Sequence, residues 1–597
     1  MFVVRLALAA AGAVIRVNQV GYLPDAPKVA VMCLPEAQGP GHDVRYAVRT
    51  ERGRVVLPSR TARPSGSFGP CGQTWRLDFT AVRAPGRYVI QAGDVRSPVV
   101  RVGGDVYAGG AGTLLAYMRE QRSGFNPLFR DSVHTLDGFV VDDTGGVVKF
   151  QPVSGGWADA SDYLQYVATS ATATYHMLMA YRDHPASFSD HFGADGLPGA
   201  NGRPDVLDEA RHGLAWLSRM FPSDSELYNQ LGDDRDHLYL DLPTTDSSDY
   251  GWGKGQQRPI YPCTGRPQGL FQNKNRSTGL ASTAGKYAAA FALAARLGVA
   301  TSDAEASLFR HKAAAAYTLG QKYPGVCQTA PGRSPYFYEE ENWTDDMELA
   351  AAELFALTGR RDYLADAARF AASEPVTPWM GADTARHYQW YPWYNAGHFA
   401  LWRAGGARDR TTTAEYYRRG LAAVSARATN GFRVGIPFIW CSNDLMVSFA
   451  TQAYLYRRMT GDTRFRIYEQ AAIDWLFGTN PWGTSMVVGY PRAGRWPRDP
   501  HSVVSIQLGP ESLTGGLVDG PVYRSIFSNL RGIALRHADA DSVFNTGFIV
   551  YHDDAGDYST NEPIMDGTAN LTVLMAALAD RTPPSRRAPR RQPRILR

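Results

Sequence analysis

Polar and apolar positions follow two rhythms along this chain. Between residues 14 and 101, runs such as VIRVNQVGY, KVAVMCL, VRYAVRT, GRYVIQAG and SPVVRVG are rich in β-branched and aromatic residues, with Pro and Gly turns between them. Short strands at that spacing predict a β-sandwich. From about residue 103 the apolar residues recur at helical spacing, as in VLDEARHGLAWLSRMF, STAGKYAAAFALAARLG, MELAAAELFALTG and LMVSFATQAYLYRRMTG. Roughly ten to twelve such segments are expected, several closed by a glycine such as Gly359 or Gly461, the usual left-handed stop. Long loops rich in Trp, Tyr, Asp, Asn and Gly join them, and loops of that length on a helical scaffold usually carry function. No repeat of fixed period suggests a solenoid.

Composition narrows the class. A chain of 597 residues exceeds one ordinary core and fits a small domain beside a large one. Apolar residues at 44% and charged residues at 20% are globular values. The 13 Trp and 31 Tyr suit surfaces that stack on flat ligands such as sugar rings. The net charge of +4 is produced by the ends: six Arg in residues 582–597, and Arg5, leave a body of about −3. Such a body lacks the footprint of a nucleic-acid binder. The Pro- and Arg-rich tail 582–597 is expected to be disordered. The opening MFVVRLALAAAGA reads as an export signal over residues 1–13, predicting a secreted or periplasmic protein. No later apolar run is long enough for a membrane span. Five Cys stand without a C-x-x-C pair, against a zinc ribbon or dithiol motif; one disulfide, such as Cys33 to Cys71, is compatible with their placement.

Two acid-bearing stretches invite a chemical reading. Hydrolysing a glycosidic bond takes two carboxyl groups on opposite sides of the anomeric carbon, one protonated and one ionised. In GGWADASDYLQY, residues 155–166, Trp157 is a candidate sugar-stacking wall and Asp159 and Asp162 lie three apart. If a helix begins there, the pair shares a face where its dipole favours ionised carboxylates; an ordinary helix cap is the competing reading. In VYHDDAGDYSTNEPIMDGTANL, residues 550–571, Asp553, Asp554 and Asp557 spell D-D-x-x-D. Gly556 and Pro563 spoil the helix that a magnesium-diphosphate site would need. Glu562, in a loop beside Tyr558 and other acids, is expected to keep its proton, and Asp566 or a neighbour to cap the following helix. His501 follows a Pro- and aromatic-rich loop; it is either structural or placed to bond a sugar hydroxyl.

These stretches together resemble glycoside hydrolase family 9, specifically members with an immunoglobulin-like domain in front. VIRVNQVGYLP looks like the first strand of that domain, GRPDVLDEARHGLAWL like the P-D-x-L-D-E-A helix, and ENWTDDMELAAAELFALTG like the W-x-x-D-x-E-L helix. DWLFGTNPWGTSMVVGYP is similar to the G-x-N-P-x-G-x-S loop, GGWADASDYLQY to G-G-W-x-D-A-G-D, and YHDDAGDYSTNE to the segment carrying the catalytic Glu. The chain departs from these patterns at Ser161 (for Gly), Ser502 and Val503 (for His and Arg), Ile564 and Thr568. The resemblance implies a mainly α protein: an (α/α)6 barrel, or six-hairpin toroid, over residues 103–581, behind a small immunoglobulin-like β-sandwich over 14–102.

It further implies an inverting β-1,4-glucanase with Asp162 as general base, Asp159 as its partner in holding the water and Glu562 as general acid. Trp157, Trp252, Tyr394, Trp440, Tyr558 and His501 are the candidate substrate contacts. The substrate class is cellulose-type, mixed-linkage or branched β-glucan, and no organic cofactor is required. A structural calcium ion is expected from family habit, with acid-rich loops such as GDDRDH, 232–237, as candidates and the ligands unassigned. An exo-acting β-glucosidase or glucosaminidase is the alternative, because residues 227–270 depart from the cellulase pattern. A silent glucan-binding protein is the rival outside catalysis.

Overall fold

The computed structural model describes residues 12–35, 41–238 and 241–580; most of the expected export signal, and the basic tail, lie outside them. Strand β1 (Val14–Arg16) pairs with β2 (Val29–Leu34), and β2 with β5 (Gln73–Asp78). The facing sheet runs β4 (Val55–Ala62), β3 (Val44–Thr50), β6 (Gly86–Ala92), β7 (Val95–Arg96), with β8 (Val100–Val102) also on β6. Alternation decides which side chains enter the core. On β3, Val44, Tyr46 and Val48 face inward and join Ile15, Met32, Leu77 and Ile90 in a core of their own. The sandwich is as the sequence predicts. Cys33 on β2 is bonded to Cys71, and a second disulfide, Cys263–Cys327, lies in the following domain.

Twelve helices of nine or more residues are found among the described residues: α1 (Gly110–Glu120), α2 (Val167–Asp183), α3 (Asp205–Met220), α4 (Ala281–Leu297), α5 (Asp303–Lys322), α6 (Thr344–Thr358), α7 (Arg361–Ser373), α8 (Ala396–Ala404), α9 (Ala407–Arg427), α10 (Ser442–Thr460), α11 (Arg466–Leu476) and α12 (Met565–Ala579). The even-numbered six contact one another in sequence, α12 returning to α2, and the odd-numbered six pack outside them. This is the (α/α)6 barrel. Inner helices are buried almost all round, α4 from Ala281 to Ala295 and α12 from Met565 to Ala576, so Ala, Gly and Thr replace an amphipathic stripe. At Gly285 a Cβ would lie 2.8 Å from Cβ of Asp346, so the approach of α4 to α6 depends on that glycine.

The sandwich is fastened to the barrel. The side chain of Phe68 meets Phe432, Phe438, Trp475 and Phe548, and Asn18 Nδ2 donates to Asp474 Oδ1 at 2.9 Å. Over one end of the barrel a mixed sheet joins Val147–Phe150, Phe139–Val141, Pro259–Pro262, Tyr228–Leu231 and Gln165–Tyr166 in that order. Pairing of Gln165 with Leu231 and of Tyr166 with Gln230 sets the turn after Leu231 beside the loop 155–166. No helix among the described residues is long and apolar enough to cross a membrane.

Candidate active site

No helix starts at Asp159, contrary to the conditional expectation; α2 begins at Val167, and residues 155–164 form a loop. Gly155 and Gly156 have φ of 108° and 78°, and a Cβ on Gly156 would meet Gln165 Nε2 at 2.5 Å and the ring of Trp216 at 2.7 Å. Only glycine fits there. The loop is tied at both flanks: Ala158 N donates to Gln121 O at 2.8 Å, Gln121 Nε2 to Ala160 O at 2.9 Å and Asp159 N to Leu164 O at 2.9 Å. Beneath it, Arg258 donates to Asp137 through Nε (3.0 Å) and Nη2 (2.7 Å), to Gln165 Oε1 (2.5 Å) and to the carbonyl of Tyr163.

The loop that carries Glu562 arrives from the far end of the chain. Its backbone is bracketed by Asp519 N to Glu562 O (2.9 Å), His501 N to Asn561 O (3.0 Å) and Tyr117 hydroxyl to Pro563 O (2.7 Å). Met565 N donates to Asp159 O at 2.9 Å, joining the two acid-bearing loops directly. The amide of Ser161 donates to Glu562 Oε1 at 3.1 Å, and the Ser161 hydroxyl donates to the same oxygen. Glu562 therefore sits against the residue that precedes Asp162. Asp162 itself is 19% exposed and takes Leu164 N at 2.9 Å and, at 3.5 Å, His237 Nε2.

The environments of the acids differ. Burial, reinforced by the Asp162 charge, pushes Glu562 above the ordinary glutamate range, while His501 and Ser161 pull the other way. Such surroundings favour the protonated form of Glu562. Asp159 is 4% exposed and has both oxygens occupied, Oδ1 by the Thr169 hydroxyl and Oδ2 by the Tyr338 hydroxyl. Burial and the nearby Asp566 hold it well above the usual aspartate range. It braces the loop from below.

Trp440 is partly exposed, with Tyr336, His387 and Tyr558 at ring-centroid distances of 5.9, 4.9 and 5.4 Å. His501 stands edge-on to Tyr558 at 6.1 Å and bonds Ala555 O through Nδ1 at 2.5 Å. These rings make an aromatic wall beside Glu562. Trp157 and Tyr394 are corrections: Trp157 is 0% exposed, packed against the His212 ring, and Tyr394 is buried in a stack on His176, so neither presents a face to a ligand. Trp252 is braced against Tyr250, Phe139 and the Arg235 guanidinium, behind the turn that holds His237.

Sequence reasoning missed His237 and the wall residues Tyr336 and His387. His237 Nδ1 pairs with buried Asp236 at 2.9 Å, and Asp236 accepts Tyr163 N at 3.0 Å. Burial opposes the imidazole charge, yet Asp236 and Asp162 outweigh it and raise its pKa well above the usual value. The strand pairing of Tyr228–Leu231 creates this contact, and it is invisible in the segment's own pattern.

The acids of 232–237 are engaged within the protein. Asp233 is paired with Arg235 (2.6 Å) and the Tyr261 hydroxyl (2.6 Å), and Asp234 accepts Arg333 N and Ser334 N. Among the described residues no group of three or more His, Cys, Asp or Glu side chains is arranged around a metal position. In the D-D-x-x-D run, Asp553 accepts the amides of Arg498 and Asp499, Asp554 those of Arg536, His537 and Gly556, and Asp557 caps Ser559. Those acids shape turns. Asp566 likewise does not cap α12, whose N-cap is Ile564; it lies in the first turn and accepts the Tyr388 hydroxyl.

Comparison with known proteins agrees over both domains. Residues 107–575 match the model for glycosyl hydrolase family 9, and residues 10–97 that for the cellulase N-terminal ig-like domain. Endoglucanase C of Cellulomonas fimi is 28% identical over 519 residues, covering 80% of this chain and 44% of its own length, so the chain spans less than half of that relative. Endoglucanase 15 of Arabidopsis thaliana is 24% identical over 78% of this chain and 92% of its own. A crystal structure of a metagenome-derived glycoside hydrolase family 9 endoglucanase superposes with a TM-score of 0.72 at 28% identity, covering 95% of this chain and 99% of the other.

Proposed function

The chain belongs to glycosyl hydrolase family 9, and from that premise we propose that it is a secreted β-1,4-glucan hydrolase working by single displacement with inversion. Asp162, partly open to solvent, takes a proton from water as the water oxygen attacks the anomeric carbon. Glu562 gives its proton to the departing oxygen as the C–O bond breaks. Solvent then restores the two protonation states. His237 and the amide of Leu164 orient the Asp162 carboxylate. Asp159 offers the water at most a lone pair and mainly fixes the loop.

The observation that carries this reading is the bond of Glu562 to Ser161, which brings acids 400 positions apart in sequence to one space without pairing them to each other. The wall of Trp440, Tyr336, His387 and Tyr558 supports sugar stacking on the same side. The names of the relatives favour endo action, and two disulfides suit an oxidising compartment.

The test is hydrolysis of a soluble β-1,4-glucan by the parent, Asp162→Asn and Glu562→Gln. Each substitution should lower kcat about 10³-fold, the usual scale for losing a positioned acid or base. Mixed oligosaccharides would mark endo action, and mono- or disaccharide alone the exo alternative. Full activity in Glu562→Gln would leave a glucan-binding role as the better reading.

A further inference from the structure

Ser161 stands at a position where the segment GGWADASDYLQY departs from the family pattern, and its side chain lies on the proton donor. Glu562 Oε1 receives two donors from this one residue, the amide at 3.1 Å and the hydroxyl. Oε2 receives none from the described residues. In a neutral carboxylic acid one oxygen carries the proton and the other is a carbonyl-type acceptor. With the amide and the hydroxyl both donating to Oε1, that oxygen is the acceptor and the proton is favoured on Oε2.

We propose that Ser161 is a positioning residue that fixes Glu562 with Oε1 as acceptor and Oε2 as the oxygen that delivers the proton to the departing sugar. The proposal rests on Glu562 being the acid. Glycine at 161 would keep only the amide contact, leaving the carboxyl group freer to rotate and to exchange its two oxygens. The hydroxyl has a second effect. A donor to a carboxylate stabilises the ionised form more than the neutral one, so Ser161 restrains the upward push that burial and Asp162 exert on Glu562. The other titratable groups around this carboxyl group are His501, Asp519, Tyr117, Tyr336 and Tyr558.

The experiment compares the parent, Ser161→Ala, Ser161→Gly and Ser161→Thr on two substrates. Cellotetraose has a poor leaving group that needs the proton; 2,4-dinitrophenyl β-cellobioside leaves without one. Ser161→Ala and Ser161→Gly should each lose about tenfold in kcat on cellotetraose, the scale of one hydrogen bond to a reacting group, with little change in KM. Their rates on the dinitrophenyl glycoside should stay within about twofold of the parent. The alkaline limb of kcat/KM on cellotetraose should move up by about half a pH unit, and Ser161→Thr should restore both limb and rate. Equal losses on the two substrates, or an unmoved limb with full activity on both, would overturn the proposal. Glu562→Gln is run alongside: if it hydrolyses cellotetraose like the parent, the acid assignment itself fails, and if it is inactive, equal losses at 161 count against Ser161 alone.

Discussion

Arg258 offers a way to separate the stability of the active-site loop from its geometry. Its guanidinium and the Asp137 carboxylate are each 2% exposed, paired through two bonds, and the same guanidinium holds Gln165 and the carbonyl of Tyr163. Arg258→Met strands Asp137 in the interior with only the backbone amide of residue 258, at 3.3 Å, as a remaining donor. Removing one partner of a buried pair costs about 3–5 kcal/mol. Adding Asp137→Leu removes the stranded charge, and replacing both members of such a pair by apolar residues is often close to neutral. The double variant should therefore recover most of the lost stability in urea unfolding. Activity should not recover with it, because Tyr163 and Gln165, on the Asp162 loop, still lack their anchor. A misplacement of about 1 Å at a reacting group can cost about 10²-fold. A double variant with parental stability and parental kcat on β-glucan would refute the idea that this arginine sets the position of Asp162.

Three further outcomes follow from other parts of the molecule. Asp474, between sandwich and barrel, is pushed up to about 7 by burial, with Asn18 and Gln470 donating to it. Its acid form is the comfortable one, so the ionised carboxylate costs stability that accumulates as pH rises from the unfolded value near 3.8 through the folded value. Asp474→Asn should gain on the parent in thermal midpoint between pH 4 and pH 7 and hold the gain above, with the displacement bounding it at ~4 kcal/mol; a gain independent of pH would contradict this. Cys263→Ala opens a bridge spanning 64 positions, worth about 4 kcal/mol on loop-closure entropy, and should lower the urea midpoint; an unchanged midpoint would show that the bridge constrains nothing. Trp440→Ala should raise KM for cello-oligosaccharides about tenfold, the order of one lost stacking contact, whereas a loss confined to kcat would remove Trp440 from the sugar-binding wall.

The two domains were legible because local pattern and global fold agree in them: alternation at Val44, Tyr46 and Val48 makes a strand, and Ala-rich runs closed by Gly359 and Gly461 make inner helices. Asp162 and Glu562 could be proposed through motif resemblance. Which aromatics gather beside Glu562 could not, because that depends on tertiary placement: Trp157 near the acids in sequence is sealed in the core, while Tyr336 and His387, far off in sequence, join Trp440 in the wall. His237 was hidden for the same reason, since a strand pairing rather than a local motif carries it to Asp162. The burial of Asp159 between Thr169 and Tyr338 could not be read from its segment either, since both partners are brought to it by the fold.

In the proposed mechanism water enters from the side of Asp162 while Glu562 protonates the other face of the bond. Proton NMR of the first minutes of hydrolysis reads this out, because the newly formed reducing end appears before its anomers equilibrate. With inversion the α-anomer signal grows first and the β signal follows by mutarotation. Early growth of the β signal would mean retention, and with it a covalent intermediate that these two acids were not assigned to form.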